Sequence, residues 1–175
     1  MTSNHTIRPL EFEDFESFIS IQGEALERSP ELFGSDYAWF ASLSRLSVGQ
    51  RFERYLNYPY TYLLGCFSDS GEILGMVGFS SDQSQKLRHK GRVWGLYVRE
   101  EARGKGIASA LTASVIEVAR DVLGIEQISC SVSSQNQASY NHYLRIGFTI
   151  YGTELHALKI GETYVDEFLM VKFLI

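Results

Sequence analysis

The sequence predicts a mixed α/β (α+β) fold: one twisted, mostly antiparallel sheet of about six or seven strands with helices on both faces. Three strand-like segments follow one another closely over residues 61–98, which favours an antiparallel meander. Strand, helix and strand then alternate over residues 92–133, which predicts a βαβ unit with two parallel strands. No repeat or low-complexity linker divides the chain, so we expect a single domain over residues 1–175.

The first third of the chain is predicted to be mainly helical. His5–Arg8 has the pattern of a short strand. From Phe12 to Leu26 apolar residues recur along one face of an amphipathic helix. Pro30 favours the end of this helix and the start of a loop. A second helix is predicted to end near residues 51–57, where the apolar residues again share one face.

The rest of the chain alternates strands and helices. Its strands are predicted at residues 61–67, 72–80, 91–98, 125–132, 148–158 and 163–175. Its helices are predicted at residues 106–123 and 136–146, where apolar residues recur with the helical period. The helix at 106–123 forms the crossover of the βαβ unit.

Composition and charge limit the possible partners. The net charge of -5 argues against binding to nucleic acid or to an anionic membrane, since both require a basic surface. No run approaches the roughly 18 apolar residues of a membrane-spanning helix, and residues 1–12 contain no signal-peptide core. Cys66 and Cys130 lie in apolar stretches, so we expect buried, reduced thiols. From the missing signal-peptide core and membrane-length run we expect a cytoplasmic protein. Since the histidines show no metal-type pairing, we expect no metal.

Residues 101–111, EARGKGIASAL, place small and basic residues where a helix begins. A helix N-terminus has about four backbone N–H groups without partners and a partial positive charge, so it attracts phosphate groups. Gly104 and Gly106 allow close approach to the backbone, and Arg103 and Lys105 add charge. A Walker A loop would need Ser or Thr after the lysine, and a dinucleotide fingerprint a third glycine. The stretch therefore predicts an anion site of another kind.

This arrangement resembles the acyl-CoA-binding signature of the GNAT family of N-acetyltransferases. The signature is Arg or Gln, two residues, Gly, one residue, then Gly or Ala. Arg103, Gly106 and Ala108 occupy its defined positions. The family also places a strand of the type LYV a few residues upstream, and residues 96–98 have this sequence.

A second motif carries the same resemblance. In the GNAT family the strand after the CoA-binding helix is followed by an Asn, a Tyr seven residues later and then a Gly-Phe pair. Asn136, Tyr143, Gly147 and Phe148 stand at those positions. The family usually has Ala three residues after the Asn, where this chain has Ser139. Two motifs in the expected order are more specific than either alone.

The resemblance implies a GNAT-like fold and transfer of an acetyl group from acetyl-CoA to a primary amine of a small molecule or a peptide. The pyrophosphate would rest on backbone N–H groups of residues 103–108, and the pantetheine arm between two splayed strands. A backbone N–H near Tyr97 or Val98 would stabilise the oxyanion. Asn136 would hydrogen-bond the arm. The implied cofactor-binding residues are Leu96, Tyr97, Val98, Arg103, Gly104, Lys105, Gly106, Ile107, Ala108, Asn136 and Tyr143.

Direct attack by an amine requires a general acid and a general base. Tyr143, by resemblance, is the catalytic acid that donates a proton to the leaving thiolate. The family often places a glutamate base on the strand before the CoA loop, but no carboxylate lies between Lys90 and Val98. A chain of water molecules and four residues remain open as the base: Asp166, Glu167, Glu24 and His89. Since neighbours in a strand point to opposite faces, at most one of the first two faces the cleft.

The acceptor amine is left open by the sequence. The acidic balance suits a cationic amine, and some loop carboxylates could attract it, although a solvated loop is the default: Glu27, Glu31 and Asp36. Five aromatic residues could line the acceptor site, although core or rim packing is the simpler interpretation: Trp39, Trp94, Tyr58, Tyr60 and Tyr62. His142 projects about 100° from Tyr143 on the helix, so we expect it to be exposed.

Two other functions remain open. A non-catalytic, regulatory CoA-binding domain is supported by the missing strand carboxylate, whereas Tyr143 favours catalysis. An acyltransferase for a longer acyl chain would differ only in pocket depth. Many members of the family dimerise through their terminal strands, so a homodimer is possible here.

Overall fold

The structure, a computed structural model, describes residues 5–30 and 33–175. Its helices are α1 Phe15–Arg28, α2 Tyr37–Ser42, α3 Arg45–Glu53, α4 Ile107–Glu117 and α5 Gln137–Arg145. Its strands are β1 Thr6–Pro9, β2 Leu56–Asn57, β3 Thr61–Phe67, β4 Ile73–Ser81, β5 Lys90–Val98, β6 Gln127–Ser133, β7 Thr149–Ile160 and β8 Thr163–Phe173. After α4 the chain continues through one π-helical turn, Val118–Val122. In these described ranges no helix is both long and apolar enough to cross a lipid bilayer.

The strands form one mixed sheet. Within the described residues, seven strands lie in the order β1-β3-β4-β5-β6-β8-β7, and the two-residue β2 pairs with β3 beside them. β5 and β6 are parallel, and the other neighbours are antiparallel. α4 connects the parallel pair, which is the βαβ unit that the sequence predicted. The predicted mixed, mostly antiparallel sheet is therefore confirmed.

Each face of the sheet is covered by its own hydrophobic core. α4 and α5 cover one face, where Leu111 and Phe148 are buried against the strands. α1 and α3 cover the other face, where the rings of Phe18 and Phe52 stack with centroids 4.8 Å apart. Helices therefore lie on both faces, as predicted. The two cores meet the sheet on opposite sides of β5, whose alternate residues contribute to each.

The first helix begins later than the sequence predicted. Phe12 lies in a short 3₁₀ turn, Phe12–Asp14, and is 66% exposed. Because a 3₁₀ turn has about three residues instead of 3.6, Phe12 is rotated away from the apolar face of α1. Buried Asp14 accepts hydrogen bonds of 2.6 and 2.8 Å from the guanidinium of Arg8, which fixes this turn to β1. α1 itself continues through Gly23 without a break.

The two cysteines are buried and free, as predicted. Burial raises the pKa of both thiols, that of Cys130 to about 12. Both are therefore neutral thiols near pH 7, and they pack as small apolar side chains.

Candidate active site

The parallel strands β5 and β6 separate along their length. They pair over three positions, from Lys90 opposite Gln127 to Arg92 opposite Ser129. Beyond that point a cavity of about 890 Å³ opens between them, closed by the start of α4 and by α5. Separated strands leave backbone N–H and C=O groups without strand partners, so an extended, amide-rich ligand can pair with them. The cleft that the resemblance implied is therefore present in the fold.

A bulge in β5 lies at the wall of this cavity. Gly95 and Leu96 together lie opposite a single position of β4, and Gly95 has a φ of +63°. The extra residue of a bulge is left unpaired in the ladder. Both residues line the cavity beside Tyr97 and Val98. The bulge therefore interrupts the β4–β5 ladder next to the position where an oxyanion donor is expected.

The loop before α4 requires its two glycines. Gly104 and Gly106 have φ values of +74° and +79°, in the left-handed region that side chains with a Cβ adopt only under strain. A Cβ at either position would meet nothing within 4 Å, so open space lies in front of this backbone. Gly106 is the N-cap residue of α4 and has no side chain with which to cap it. The first N–H groups of α4, from Ile107 onward, are thus available to an anion.

The two basic residues of this loop lie differently. Arg103 lines the cavity, and its Nε donates a 3.0 Å hydrogen bond to the carbonyl of Val98. Its guanidinium carbon also lies 5.8 Å from the centroid of the Tyr97 ring. Lys105 is exposed and lies outside the cavity lining. Of the implied cofactor-binding residues, Lys105 is therefore the one that the fold does not bring to the cavity.

α5 brings Asn136 and Tyr143 to the opposite wall. Asn136 is the N-cap residue of α5, and its Oδ1 accepts a 3.0 Å hydrogen bond from the N–H of Ser139. Its side-chain amide group is left to donate toward the cavity. Tyr143 is 4% exposed, and its ring packs edge-on against Phe148 with centroids 5.1 Å apart. Burial raises the pKa of Tyr143, so the phenol stays protonated near pH 7.

His142 is buried, and the expectation that it is exposed was wrong. It is 6% exposed, and its Nε2 lies 3.2 Å from Oγ1 of Thr112 on α4. α5 is covered on two adjacent faces, by the sheet at Tyr143 and by α4 at His142, so a 100° rotation does not reach solvent. Burial lowers the pKa of His142, and the nearby Arg145 lowers it further. The imidazole is therefore neutral near pH 7.

The four candidate bases lie in different environments. Glu24 accepts a 3.0 Å hydrogen bond from the hydroxyl of Tyr97 and pairs with Arg99 at 3.3 Å, so both its oxygens are engaged. His89 precedes β5, at the end of the strand opposite to the cavity. Asp166 accepts a 2.8 Å hydrogen bond from the N–H of His156.

Glu167 is the candidate base that pairs across the sheet with a residue of the cavity wall. It lies opposite Ser133, a buried residue of β6 that lines the cavity. Directly opposed residues of an antiparallel pair share a face of the sheet. Burial raises the pKa of Glu167, the facing Glu154 raises it further, and Arg92 opposes both effects. As neighbours on β8, Asp166 and Glu167 are expected on opposite faces of the sheet.

A second cavity, of about 240 Å³, opens on the other side of β5. Trp39 and Trp94 both line it, and Trp94 also lines the larger cavity. Tyr58, Tyr60 and Tyr62 do not: the first two are exposed, and Tyr62 is buried in the core beside Phe79. Of the loop carboxylates, Glu27 is exposed, Asp36 caps α2 through the N–H of Trp39, and Glu31 lies outside the described residues.

Several residues of these cavities were not predicted from the sequence. Ser131 and Ser133 alternate with buried apolar residues along β6, and this period-two pattern could have placed both on one face. Arg51 lines the second cavity and stands three residues after buried Val48 on α3. Arg51 is exposed beside this apolar face, so the helical pattern alone did not single it out. Nothing in the local sequence indicated Phe33, which reaches both cavities from a loop.

Comparison with known proteins gives the family. A model described as the acetyltransferase (GNAT) family matches residues 24–148. The chain is similar to the L-amino acid N-acetyltransferase AaaT of Escherichia coli K12, with 30% identity over 111 residues. That match covers 63% of this chain and 66% of the relative, just under two thirds of the relative's length.

Solved structures share the fold over nearly the whole chain. A GNAT-family acetyltransferase from Streptococcus pneumoniae superposes with a TM-score of 0.83 at 24% identity, covering 98% of this chain and 100% of that one. The acetyltransferase yncA from Salmonella typhimurium, described with its cofactor acetyl-CoA, superposes with a TM-score of 0.78 at 21% identity. This match covers 99% of this chain and 95% of that one. The family model matches well over half of this chain. The chain therefore belongs to the GNAT family of acetyltransferases, as its two motifs predicted.

Proposed function

We propose that the protein transfers an acetyl group from acetyl-CoA to a primary amine by direct attack, with the cavity between β5 and β6 as the donor site. Membership of the GNAT family makes it an N-acetyltransferase, and acetyl-CoA is its donor. The observation that carries the donor site is the N-terminus of α4, which opens without a side-chain cap into a cavity of about 890 Å³. An acceptor α-amine is supported by the similarity to an L-amino acid N-acetyltransferase.

The donor is held mainly by backbone groups in this proposal. The pyrophosphate accepts hydrogen bonds from N–H groups of the loop and of the first turn of α4, residues 104–109. Arg103 lines the same cavity and adds positive charge. The pantetheine arm pairs with the unpaired edges of β5 and β6 as an added strand would. Asn136, whose oxygen is engaged by Ser139, donates its amide hydrogens to a carbonyl of the arm.

The chemistry then requires one bond to form and one to break. The amine nitrogen bonds to the thioester carbon, and the carbon–sulfur bond breaks. The developing oxyanion accepts a hydrogen bond from an unpaired backbone N–H at the bulge, Gly95 and Leu96, or at the adjacent Tyr97. The thiolate that leaves takes a proton from the hydroxyl of Tyr143. Burial keeps this phenol protonated until the thiolate forms.

Glu167 is the base that we infer to accept the proton of the amine, directly or through one water molecule. It faces the same side of the sheet as Ser133 at the cavity wall. The other two carboxylate candidates are engaged, Glu24 by Tyr97 and Arg99 and Asp166 by a backbone N–H. A pKa raised by burial makes Glu167 a better base near neutral pH than an ordinary carboxylate.

The first test is calorimetric titration with acetyl-CoA of the wild type, Gly106→Glu and Gly161→Glu. Gly106→Glu places a carboxylate in the proposed pyrophosphate seat, so we expect affinity to fall by roughly 100-fold or more. Gly161 is the matched control, because it has a similar φ of +60° and open space but lies in the β7–β8 turn. Equal binding by wild type and Gly106→Glu, or no binding by the wild type, would contradict the donor site.

A non-catalytic CoA-binding role is not favoured, because the buried hydroxyl-bearing Tyr143 at the cavity wall has a use in catalysis that binding alone does not require. Release of free thiol from acetyl-CoA in the presence of amines distinguishes the two roles. Homodimer formation and a cytoplasmic location stay predictions from the sequence.

A further inference from the structure

The second cavity meets the donor cavity at the bulge of β5. The two share Phe33, Trp94 and Gly95, so a molecule in the smaller one reaches the place where the acetyl group lies under the proposed function. The smaller cavity has a volume of about 240 Å³. This is less than the roughly 300–1,000 Å³ typical of sites for drug-sized ligands. The space therefore suits an acceptor of about the size of a single amino acid.

The walls of this cavity are largely aromatic. Six rings line it: Phe18, Phe33, Trp39, Phe40, Tyr55 and Trp94. Rigid rings of this kind bind an apolar side chain through large contact areas. Among the described residues, no carboxylate lines the cavity. The wall therefore does not match the cationic acceptor that the acidic balance of the chain suggested.

Arg51 is the charged side chain of the cavity lining. Its guanidinium carbon lies 4.6 Å from the centroid of the Trp39 ring, which holds the cation at the wall by a cation–π contact. Over residues 5–30 and 33–175, Arg51 forms no salt bridge. A guanidinium is planar and binds a carboxylate through two parallel hydrogen bonds. The site is thus suited to a ligand that carries a carboxylate beside an apolar group.

We propose that the acceptor is a free α-amino acid with an apolar side chain, bound through its carboxylate to Arg51. This inference rests on the proposed function and names the substrate class of the same reaction. The side chain of the amino acid packs against the aromatic wall, and its amine faces the β5 bulge at Gly95. A peptide N-terminus has an amide where the free amino acid has a carboxylate, and a polyamine has neither. Arg51 therefore selects free amino acids over both.

The test compares four acceptors: L-methionine, L-methioninamide, a short peptide that begins with methionine, and spermidine. Each is assayed with acetyl-CoA and the wild type, Arg51→Ala, Arg51→Lys and Arg54→Ala. Arg54 is the matched control, since it is exposed at the end of α3 and lies outside the cavity lining. Binding of acetyl-CoA by each variant is measured in parallel and confirms that it is folded.

We expect the wild type to prefer L-methionine to its amide. Arg51→Ala should lower kcat/KM for L-methionine by about 10- to 100-fold, mainly through KM, because one charged hydrogen-bonding partner is lost. In Arg51→Ala, kcat/KM for L-methioninamide should stay at the wild-type value. Arg51→Lys should recover part of the loss in kcat/KM for L-methionine. Arg54→Ala should have the wild-type kcat/KM for both.

Two kinds of failure can be told apart. If Arg51→Ala lowers the rates for the amino acid and the amide alike, or if the wild type prefers the amide, the peptide or spermidine, the inference is wrong while the acetyltransferase stands. The absence of turnover with L-methionine and other apolar amino acids also overturns it. Failure of the wild type to bind acetyl-CoA would instead contradict the proposed function.

Discussion

The two cavities that meet at Gly95 are built from different parts of the chain. The larger one is lined mainly by β5, the loop before α4 and the start of α4, within residues 93–109, with α5 and β6 opposite. The smaller one is lined by residues of α1, α2, α3 and β5 and of the loops that follow α1 and α3, spread over residues 18–95. Backbone N–H groups recognise phosphate and amide whatever the neighbouring side chains are. In the second cavity the aromatic and charged side chains of the lining determine which ligand fits.

The largest effect that we expect on the donor cavity is the loss of acetyl-CoA binding in Gly106→Glu. Tyr143→Phe is the next. It removes the proton donor but keeps the ring against Phe148, so kcat should fall by about 10²- to 10⁴-fold with every amine. The affinity for acetyl-CoA should change far less than kcat, because the ring stays in the cavity wall.

The control for Tyr143→Phe is Tyr151→Phe, an exposed tyrosine on β7. Steady-state kinetics and calorimetry measure the two quantities. If Tyr143→Phe keeps the wild-type kcat, Tyr143 is not the general acid, and the donor cavity only binds acetyl-CoA.

Glu167→Gln tests whether this carboxylate of β8, opposite Ser133, is the base. We expect kcat to fall by about 100-fold, because the amide cannot accept the proton, while acetyl-CoA binds as before. Glu162→Gln, exposed between β7 and β8, is the control and should be as active as the wild type. An unchanged kcat in Glu167→Gln would leave solvent water as the base.

Thr112→Val tests the buried side-chain hydrogen bond that joins α4 to His142, a residue of α5 that lines the donor cavity. Valine keeps the shape but leaves Nε2 of His142 buried without its partner, which should cost about 1–3 kcal/mol of unfolding free energy. Urea denaturation measures this, with exposed Thr153→Val on β7 as control. Equal stability of the two variants would mean that this contact does not hold the wall together.

Glu154→Gln should produce the smallest effect, a shift in pH dependence. Glu154 faces Glu167 and raises its pKa, so its removal should lower that pKa. Because a base acts when deprotonated, kcat/KM rises with pH through the pKa of Glu167. The acidic limb of the profile should therefore move to lower pH in Glu154→Gln. If the acidic limb of the kcat/KM profile does not move, the titration of another group determines its position.

Local patterns predicted most of the fold and one side of the site. Strand alternation and helical periodicity are set by neighbours within a few residues, so β3 to β8 and α4 and α5 were placed close to their observed bounds. The acyl-CoA-binding motif could be recognised for the same reason. Its strand, glycine loop and helix N-terminus follow one another directly in the chain. The prediction that Phe12 lies on the apolar face of the first helix was wrong. A 3₁₀ turn, stabilised by Arg8 of β1, replaced the first helical turn.

By itself, the sequence determined the mixed sheet, the βαβ unit and the glycine loop that opens α4, because each depends on the order of nearby residues. Only the tertiary structure decided which carboxylate faces the cavity, that His142 is buried against Thr112, and that Arg51, Trp39 and Trp94 line one space. These relations join residues far apart in the chain. They follow from which helix covers which face of the sheet. The period of the apolar residues marks the buried face of an element, but not the distant segment that covers it.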